Sequence, residues 1–228
     1  MIETRALCVA FGPISVLEQV DVRAASGTVL GVVGHNGAGK TTLMRAIVGA
    51  LPARSGQVRI DGQDVTTWTP QKRVALGLGY MPEDRRLIPE LSVRANIVLP
   101  LEVARIDVAE RGRRVSRVLD MIPELAPLID RRGNQLSGGQ QKLAALARAI
   151  CQGQRLLLLD EPFEGVAPAL VERLAAVLRA LRQQGPTILV TDSEGANLQG
   201  LCDLRQTIER GRVRPDEISN HSNSEIFL

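Results

Sequence analysis

The chain has 228 residues, 44% hydrophobic and 23% charged, with a formal net charge of +3. This is the balance of a globular chain able to bury a sizeable core, and no apolar run approaches the roughly 20 residues needed to cross a bilayer. Basic residues are scattered and aromatics total 2%, which argues against a primary nucleic-acid role, because stacking platforms and a basic stripe are missing. Cys8, Cys151 and Cys202 are few, odd in number and unclustered, so reduced thiols are expected rather than disulfides or a metal site. Met1 to Arg5 lacks the charged-then-apolar layout of a signal peptide, and a cytoplasmic protein is expected.

Residues 2–10, with Leu7 and Val9 as inward candidates, read as an opening strand, and Val16 to Ala24 as a second stretch of strand character. Gly27-Thr28 turns into an apolar run, Val29 to Val33, which reads as a buried strand. Gly34-His35-Asn36-Gly37-Ala38-Gly39-Lys40-Thr41 follows, and Thr42 to Val48 reads as a helix. A strand, GxxxxGK[ST] and a helix in succession form the context of a phosphate-binding loop. Glycines let consecutive backbone N–H groups curl around phosphate oxygens, and the helix N-terminus adds positive partial charge. Lys40 then reaches the β- and γ-phosphates and the Thr41 hydroxyl ligates Mg²⁺. Only Lys40, Lys72 and Lys142 among the 28 basic residues are lysine, and Lys40 stands where a compact ammonium is wanted. The alternative for the segment is a glycine-rich turn without ligand.

Gln57 to Ile60 alternates as a half-buried strand, and Gly77 to Met81 reads as a short strand stopped by Pro82. Residues 92–122 change character: Ser92 is a candidate helix cap, and Val115, Val118, Leu119 and Ile122 fall at i, i+3, i+4 and i+7. Arg113, Arg114 and Arg117 lie elsewhere on that helix, as a solvated face or as a docking surface for an acidic partner. A helical insertion between two halves of a sheet is expected here. A helix over about 138–152, a strand over 156–160, and a helix from Pro168 to Gln184 with Gly185 past its end follow. A strand over Thr187–Val190, a short helix near 195–201 and a closing strand from Leu204 to Glu209 complete the series; from Arg214 onward a polar, mobile tail is expected.

Two further segments carry chemistry. Leu156 to Leu159 ends in Asp160-Glu161, and a run of leucines fits a strand buried on both faces. At its carboxyl end Asp160 can hold Mg²⁺ through water, and Glu161 can orient or deprotonate an attacking water. Two adjacent acids there are unfavourable without a cation. In Leu136-Ser137-Gly138-Gly139-Gln140, Ser137 opens a helix whose first N–H groups are left uncovered by glycine, a second anion-binding helix start. One triphosphate does not need two such cradles from one chain, so two chains sharing nucleotides are expected.

With these residues in hand, the chain resembles the ATP-binding cassette (ABC) ATPases: Gly34–Thr41 a Walker A motif, Leu156–Glu161 a Walker B motif, Leu136–Gln140 the signature, in matching order from about residue 2 to 213. The resemblance implies an α/β P-loop NTPase, RecA-like core with an antiparallel β subdomain and an inserted helical subdomain at about 85–145, within an ATP-binding domain over 1–213 and with a tail over 214–228. It implies ATP and Mg²⁺ held by Gly34 to Thr42, with Thr41, Glu83 and Asp160 on the metal and Ser137, Gly138, Gly139 and Gln140 facing the nucleotide of a second subunit. Phe11 takes the position of the adenine-stacking aromatic, its alternative being a strand-end hydrophobe. Transmembrane permease subunits, and indirectly an extracytoplasmic substrate-binding protein, are implied as partners, with this chain peripheral on the inner face of the membrane. Tyr80 to Arg86 with Pro89, Leu91 and Val93, and Glu161 to Pro168, are similar to segments of branched-chain amino-acid, amide or urea importers; Glu83 stands for the usual Q-loop glutamine and Ala167 for the usual D-loop aspartate.

The chain departs from the family at the switch histidine. The stretch past the next strand is Thr191-Asp192-Ser193, and neither His35 nor His221 can fill the role. Asp192 is assigned there, completing a catalytic set with Lys40 and Glu161, and Thr191 or Ser193 are the alternatives for a shifted register. A carboxylate about 4 Å from a γ-phosphate is repelled by roughly 4 kcal/mol per charge pair at an effective dielectric near 20, so Asp192 must turn away, gain a proton or be bridged. Slower intrinsic hydrolysis, or reliance on a partner subunit, is expected.

Overall fold

The computed structural model describes residues 1–84 and 87–215. Strands β1 (Ile2–Phe11) and β2 (Ile14–Ala24) pair antiparallel, β4 (Ser55–Ile60) joins the other side of β1, and the two-residue β5 (Gln63–Asp64) closes this four-stranded sheet in the order β2-β1-β4-β5. Between them in the chain lie β3 (Val29–Val33) and α1 (Lys40–Val48); α2 (Pro70–Val74) and β6 (Leu78–Met81) follow. Helix α1 starts two residues earlier than its apolar pattern indicates, so Lys40 and Thr41 belong to its first turn.

Residues 92–122 form two helices, α3 (Val93–Val103) and α4 (Val108–Met121), rather than one periodic run. Arg105 adopts positive φ between them, and Asp107 caps α4 by accepting from Ala109 N at 2.7 Å. The Ser92 cap is present, its hydroxyl accepting from Ala95 N at 3.1 Å. Val115, Val118 and Ile122 are buried and Leu119 half-buried, whereas Arg113 and Arg114 pair with Glu110 and Arg117 bonds Gln184 and Gln154. Helix α5 (Gly138–Gln152) runs unbroken through residue 145 and packs on both α3 and β6.

The second sheet continues with β7 (Leu156–Leu159), β8 (Thr187–Asp192), β9 (Leu204–Glu209) and β10 (Arg212–Pro215), with α6 (Pro168–Arg182) between β7 and β8. Its order is β10-β9-β3-β8-β7-β6, and β9, β3, β8, β7 and β6 are parallel. The helical insertion therefore connects β6 and β7, which are hydrogen-bonded neighbours, rather than separating two halves of the sheet. Leu157 and Leu159 face one buried cluster and Leu156 and Leu158 the other, the two-sided burial expected of that run. The closing strand is β10, not β9: Arg214 and Pro215 pair with Thr207 and Gln206, so the tail expected from 214 is strand up to 215. The remainder of that tail, 216–228, lies outside the described residues, as do Arg85 and Arg86.

Candidate functional site

Parallel strands put their carboxyl ends on one rim, where α/β sheets bind ligands. Here β3 delivers the glycine loop, β7 delivers Asp160-Glu161, β8 lies between them, and β6 leads to Glu83. The loop is shaped by close approach: a Cβ on Gly34 would meet Ile208 O at 2.2 Å, and Gly39 has φ +114 immediately before α1. The neighbouring β9–β10 hairpin braces it, Gly211 N donating to Ala38 O at 3.0 Å. A cavity of about 460 Å³ is lined by Asn36, Gly37, Gly39, Lys40, Thr41 and Thr42, together with Val16, Glu83 and Glu161.

Lys40 is buried, and its three protons have three acceptors from its own chain: Gly34 O, His35 O at 3.0 Å and Glu161 Oε1 at 3.0 Å. Glu161 is held in the left-handed region at φ 49, with its N–H donating to Thr191 Oγ1 at 2.9 Å. Its carbonyl accepts from Lys142 Nζ of α5 at 3.0 Å. Thr41 donates to Glu83 Oε2 at 3.5 Å. Asp160 is fully buried, with Oδ1 accepting from Thr191 at 2.9 Å and Oδ2 from Tyr80 at 3.3 Å. Burial pushes the Asp160 carboxyl up, hydrogen bonds from Thr191 and Thr41 pull it back, and the charges of Glu83 and Glu161 add to the rise. Burial likewise pushes the Tyr80 hydroxyl up, so it remains a donor.

This donor set fits Mg²⁺. Hydroxyl and carboxylate oxygens are hard ligands, and Asp160 carries a burial penalty that a cation relieves. Among the described residues no three His, Cys, Asp or Glu side chains gather as a metal cage. Magnesium is commonly bound through one or two carboxylates, waters and substrate phosphates instead.

Asp192 does not take the switch position. Its carboxylate is buried and accepts from Gly195 N at 2.7 Å and Asn197 Nδ2 at 3.4 Å, capping the turn after β8. Only its main chain touches the glycine loop, through Gly34 N to Asp192 O at 3.2 Å. The side chain that reaches the site is Ser193, whose Oγ lies 2.8 Å from Glu161 Oε1 and 2.9 Å from Asn36 Oδ1. Side chains alternate along a strand, so one residue of register exchanges the buried cap for the site-facing group.

Ser137 and Gln140 form a capping box, Ser137 Oγ accepting from Gln140 N at 3.3 Å and Gln140 Oε1 accepting from Ser137 N at 2.9 Å. Ser137, Gly138, Gly139 and Gln140 do not line the Lys40 cavity. Phe11 does not line it either; it is half-exposed at the end of β1. Reasoning from the sequence missed Lys142 and Tyr80 as members of the site and Val16 as part of its wall, and offered Thr191 only as an alternative for the switch position. Their signals were a lone lysine in a helix and ordinary strand residues.

Tyr80 also belongs to a second cavity, an open, mainly apolar groove of about 490 Å³ bounded by α2, β6, α3 and α5, with Val74, Leu99, Val103 and Ala149 in its walls. Gln152 Oε1 is buried in this wall without a hydrogen-bond partner. Among the described residues no helix is long and apolar enough to cross a membrane.

Comparison with known proteins agrees with this geometry. The family model described as ABC transporter matches residues 17–164. The lipopolysaccharide export system ATP-binding protein LptB of Acidithiobacillus ferridurans is 33% identical over 87% of this chain and 82% of its own length. The high-affinity branched-chain amino acid transport ATP-binding protein BraG of Pseudomonas aeruginosa is 29% identical over 89% and 86%. The dimeric structure of a bacterial ABC transporter cassette superposes with a TM-score of 0.85 over 94% of this chain and 97% of that one at 24% identity, a likeness of fold. With a family model covering more than half its length and relatives of this coverage, the chain belongs to the ABC transporter ATP-binding subunits, which are ATPases.

Proposed function

We propose that the chain is the motor subunit of a membrane transporter, using Lys40, Thr41, Glu83, Asp160 and Glu161 to bind and hydrolyse Mg²⁺·ATP. The observation that carries this reading is the gathering of Lys40, Thr41, Glu83 and Glu161 around one cavity, with Asp160 hydrogen-bonded to its neighbours at the same rim. Magnesium, when bound, would neutralise charge on the transferred phosphate. Lys40 gives up its contact with Glu161 to reach phosphate oxygens, which frees the Glu161 carboxylate to take the proton of a water. Ser193 keeps that carboxylate oriented. Lys40 and Glu161 thus neutralise each other until a triphosphate separates them.

Ser137 to Gln140 complete the nucleotide site of a second copy or a related ATPase subunit, since one chain leaves them outside its own cavity. The apolar groove beside β6 receives an apolar segment of the permease, with a donor for Gln152 Oε1. That docking holds the chain on the inner face of the membrane. For the solute, branched-chain amino acids or related amides come first, supported by the Tyr80–Asp84 and Glu161–Pro168 segments and by the likeness to BraG. The 33% identity to LptB supports lipopolysaccharide export as the second reading. The permease that co-purifies with the chain decides between them.

Glu161→Gln tests the mechanism. It should retain ATP binding and lower kcat by roughly 10²–10⁴-fold, the range for loss of a general base. Steady-state turnover close to that of the unmodified protein would remove Glu161 from the reaction.

A further inference from the structure

We propose that Tyr80 is a positioning residue that ties the apolar groove to the metal-site carboxylate, its ring forming groove wall and its hydroxyl holding Asp160. The inference rests on the reading of Asp160 as a magnesium group and goes beyond it. Asp160 is gripped from the strands on either side of β7. From β8, Thr191 Oγ1 holds Oδ1 at 2.9 Å, and Thr191 is itself buried and fixed by the N–H of Glu161. From β6, Met81 O accepts from Asp160 N at 2.9 Å and Tyr80 Oη holds Oδ2 at 3.3 Å. Thr41 of α1 bonds the same carboxyl, but the two grips from the strands differ. Thr191 lies in closed core, whereas Tyr80 is half-buried and lines a groove open to the surface.

The Tyr80 bond is also the longer one. Hydroxyl-to-oxygen bonds centre near 2.7–2.8 Å, so the Tyr80 contact has about half an ångström of slack to lose or gain. A side chain seated against the ring closes or opens that slack and so orients the second oxygen of Asp160. Reciprocity follows: a cation that draws on Asp160 is felt in the groove, and an occupant of the groove is felt at the metal. The competing explanation is a polar tip on a packing aromatic that merely found an acceptor. The two differ in what the groove does to the metal dependence.

Tyr80 is the single tyrosine of the chain, so 3-fluorotyrosine gives one ¹⁹F resonance without further engineering. In the full chain, Leu99→Trp fills the groove from its wall and Leu99→Ala widens it. Each should move that resonance in the nucleotide-free protein and change the Mg²⁺ concentration giving half-maximal ATP turnover. Tyr80→Phe keeps the ring and removes the bond to Asp160, together with the hydroxyl's hydrogen bond to Arg45. It should raise the half-maximal Mg²⁺ by about fivefold or more, the lower end of usual coupling, and by a larger factor than any fall in kcat at saturating Mg²⁺. In the Tyr80→Phe background the Leu99 variants should no longer change it. A smaller rise in Tyr80→Phe, or Leu99 effects that persist undiminished without the hydroxyl, overturns the proposal. Asp160→Asn separates the premises: if Mg²⁺ dependence survives it, the assignment of Asp160 fails, and if only Tyr80→Phe is silent, the tie alone fails.

Discussion

Ser193 is the side chain past β8 that reaches Glu161, and serine chemistry limits what it can do. A hydroxyl has one proton, yet Glu161 Oε1 and Asn36 Oδ1 both stand within 3 Å of it. With Glu161 ionised the proton goes to the carboxylate, and the Asn36 amide turns its NH₂ toward the serine oxygen; amide orientation is an assignment made from such networks. Ser193 therefore holds the Glu161 carboxylate but cannot itself carry a proton as imidazole does. Ser193→Ala should lower kcat by about tenfold, the equivalent of one hydrogen bond to a charged group, with little change in KM for ATP. Asp192→Ala should do the reverse. It leaves the Gly195 N–H unpaired and reduces stability to urea by about 1–3 kcal/mol while sparing kcat. Measured kcat and unfolding midpoints exchanged between the two variants would return Asp192 to the reaction.

Helix α5 joins the Ser137–Gln140 helix start to Glu161. Its first turn is the Ser137–Gln140 capping box, and the next residue but one, Lys142, is buried with its ammonium on Glu161 O and Glu164 O. That anchor holds Glu161 at φ 49, a conformation unfavourable for a side chain of its size. Lys142→Met keeps the length and removes the donors, so buried carbonyls lose a partner and stability falls by about 1–3 kcal/mol. The fall in kcat should exceed what the lost folded fraction explains, because Glu161 is released. Full activity in the folded variant would make Lys142 a scaffold residue only. Arg117 shows the opposite outcome for a basic helix face: it is bonded to Gln184 and Gln154, and Arg113 and Arg114 share Glu110, contacts that the reading as a solvated face accounts for.

Across the fold, the site is complete on one side only. The Lys40 cavity opens at the sheet rim, while Ser137 to Gln140 lie outside its lining at the exposed start of α5. Two copies facing head to tail would supply each cavity with the other's helix start. Glu161→Gln, which keeps the nucleotide unhydrolysed, should sediment as a dimer with saturating Mg²⁺·ATP and as a monomer with ADP. A monomer under both conditions would separate the signature residues from nucleotide binding in this chain.

The strand–loop–helix around Gly34–Thr41, the strand end at Asp160-Glu161 and the helix start at Ser137 were legible in the sequence because each is contiguous. Consecutive N–H groups, a strand end or a helix start carry the chemistry, and spacing alone reveals them. Strand β7 was legible for a similar reason, since burial on both faces demands an unbroken apolar run. The single residue of register that puts Ser193 rather than Asp192 beside Glu161 was not legible, because strand β8 continues to Asp192 and only its pairing with β3 fixes which side chain faces inward. Nor were Tyr80, Thr191 and Lys142, which converge on Asp160 and Glu161 from β6, β8 and α5. Their roles arise from neighbours distant in the chain, and neither propensity nor periodicity encodes which atoms will meet across adjacent strands.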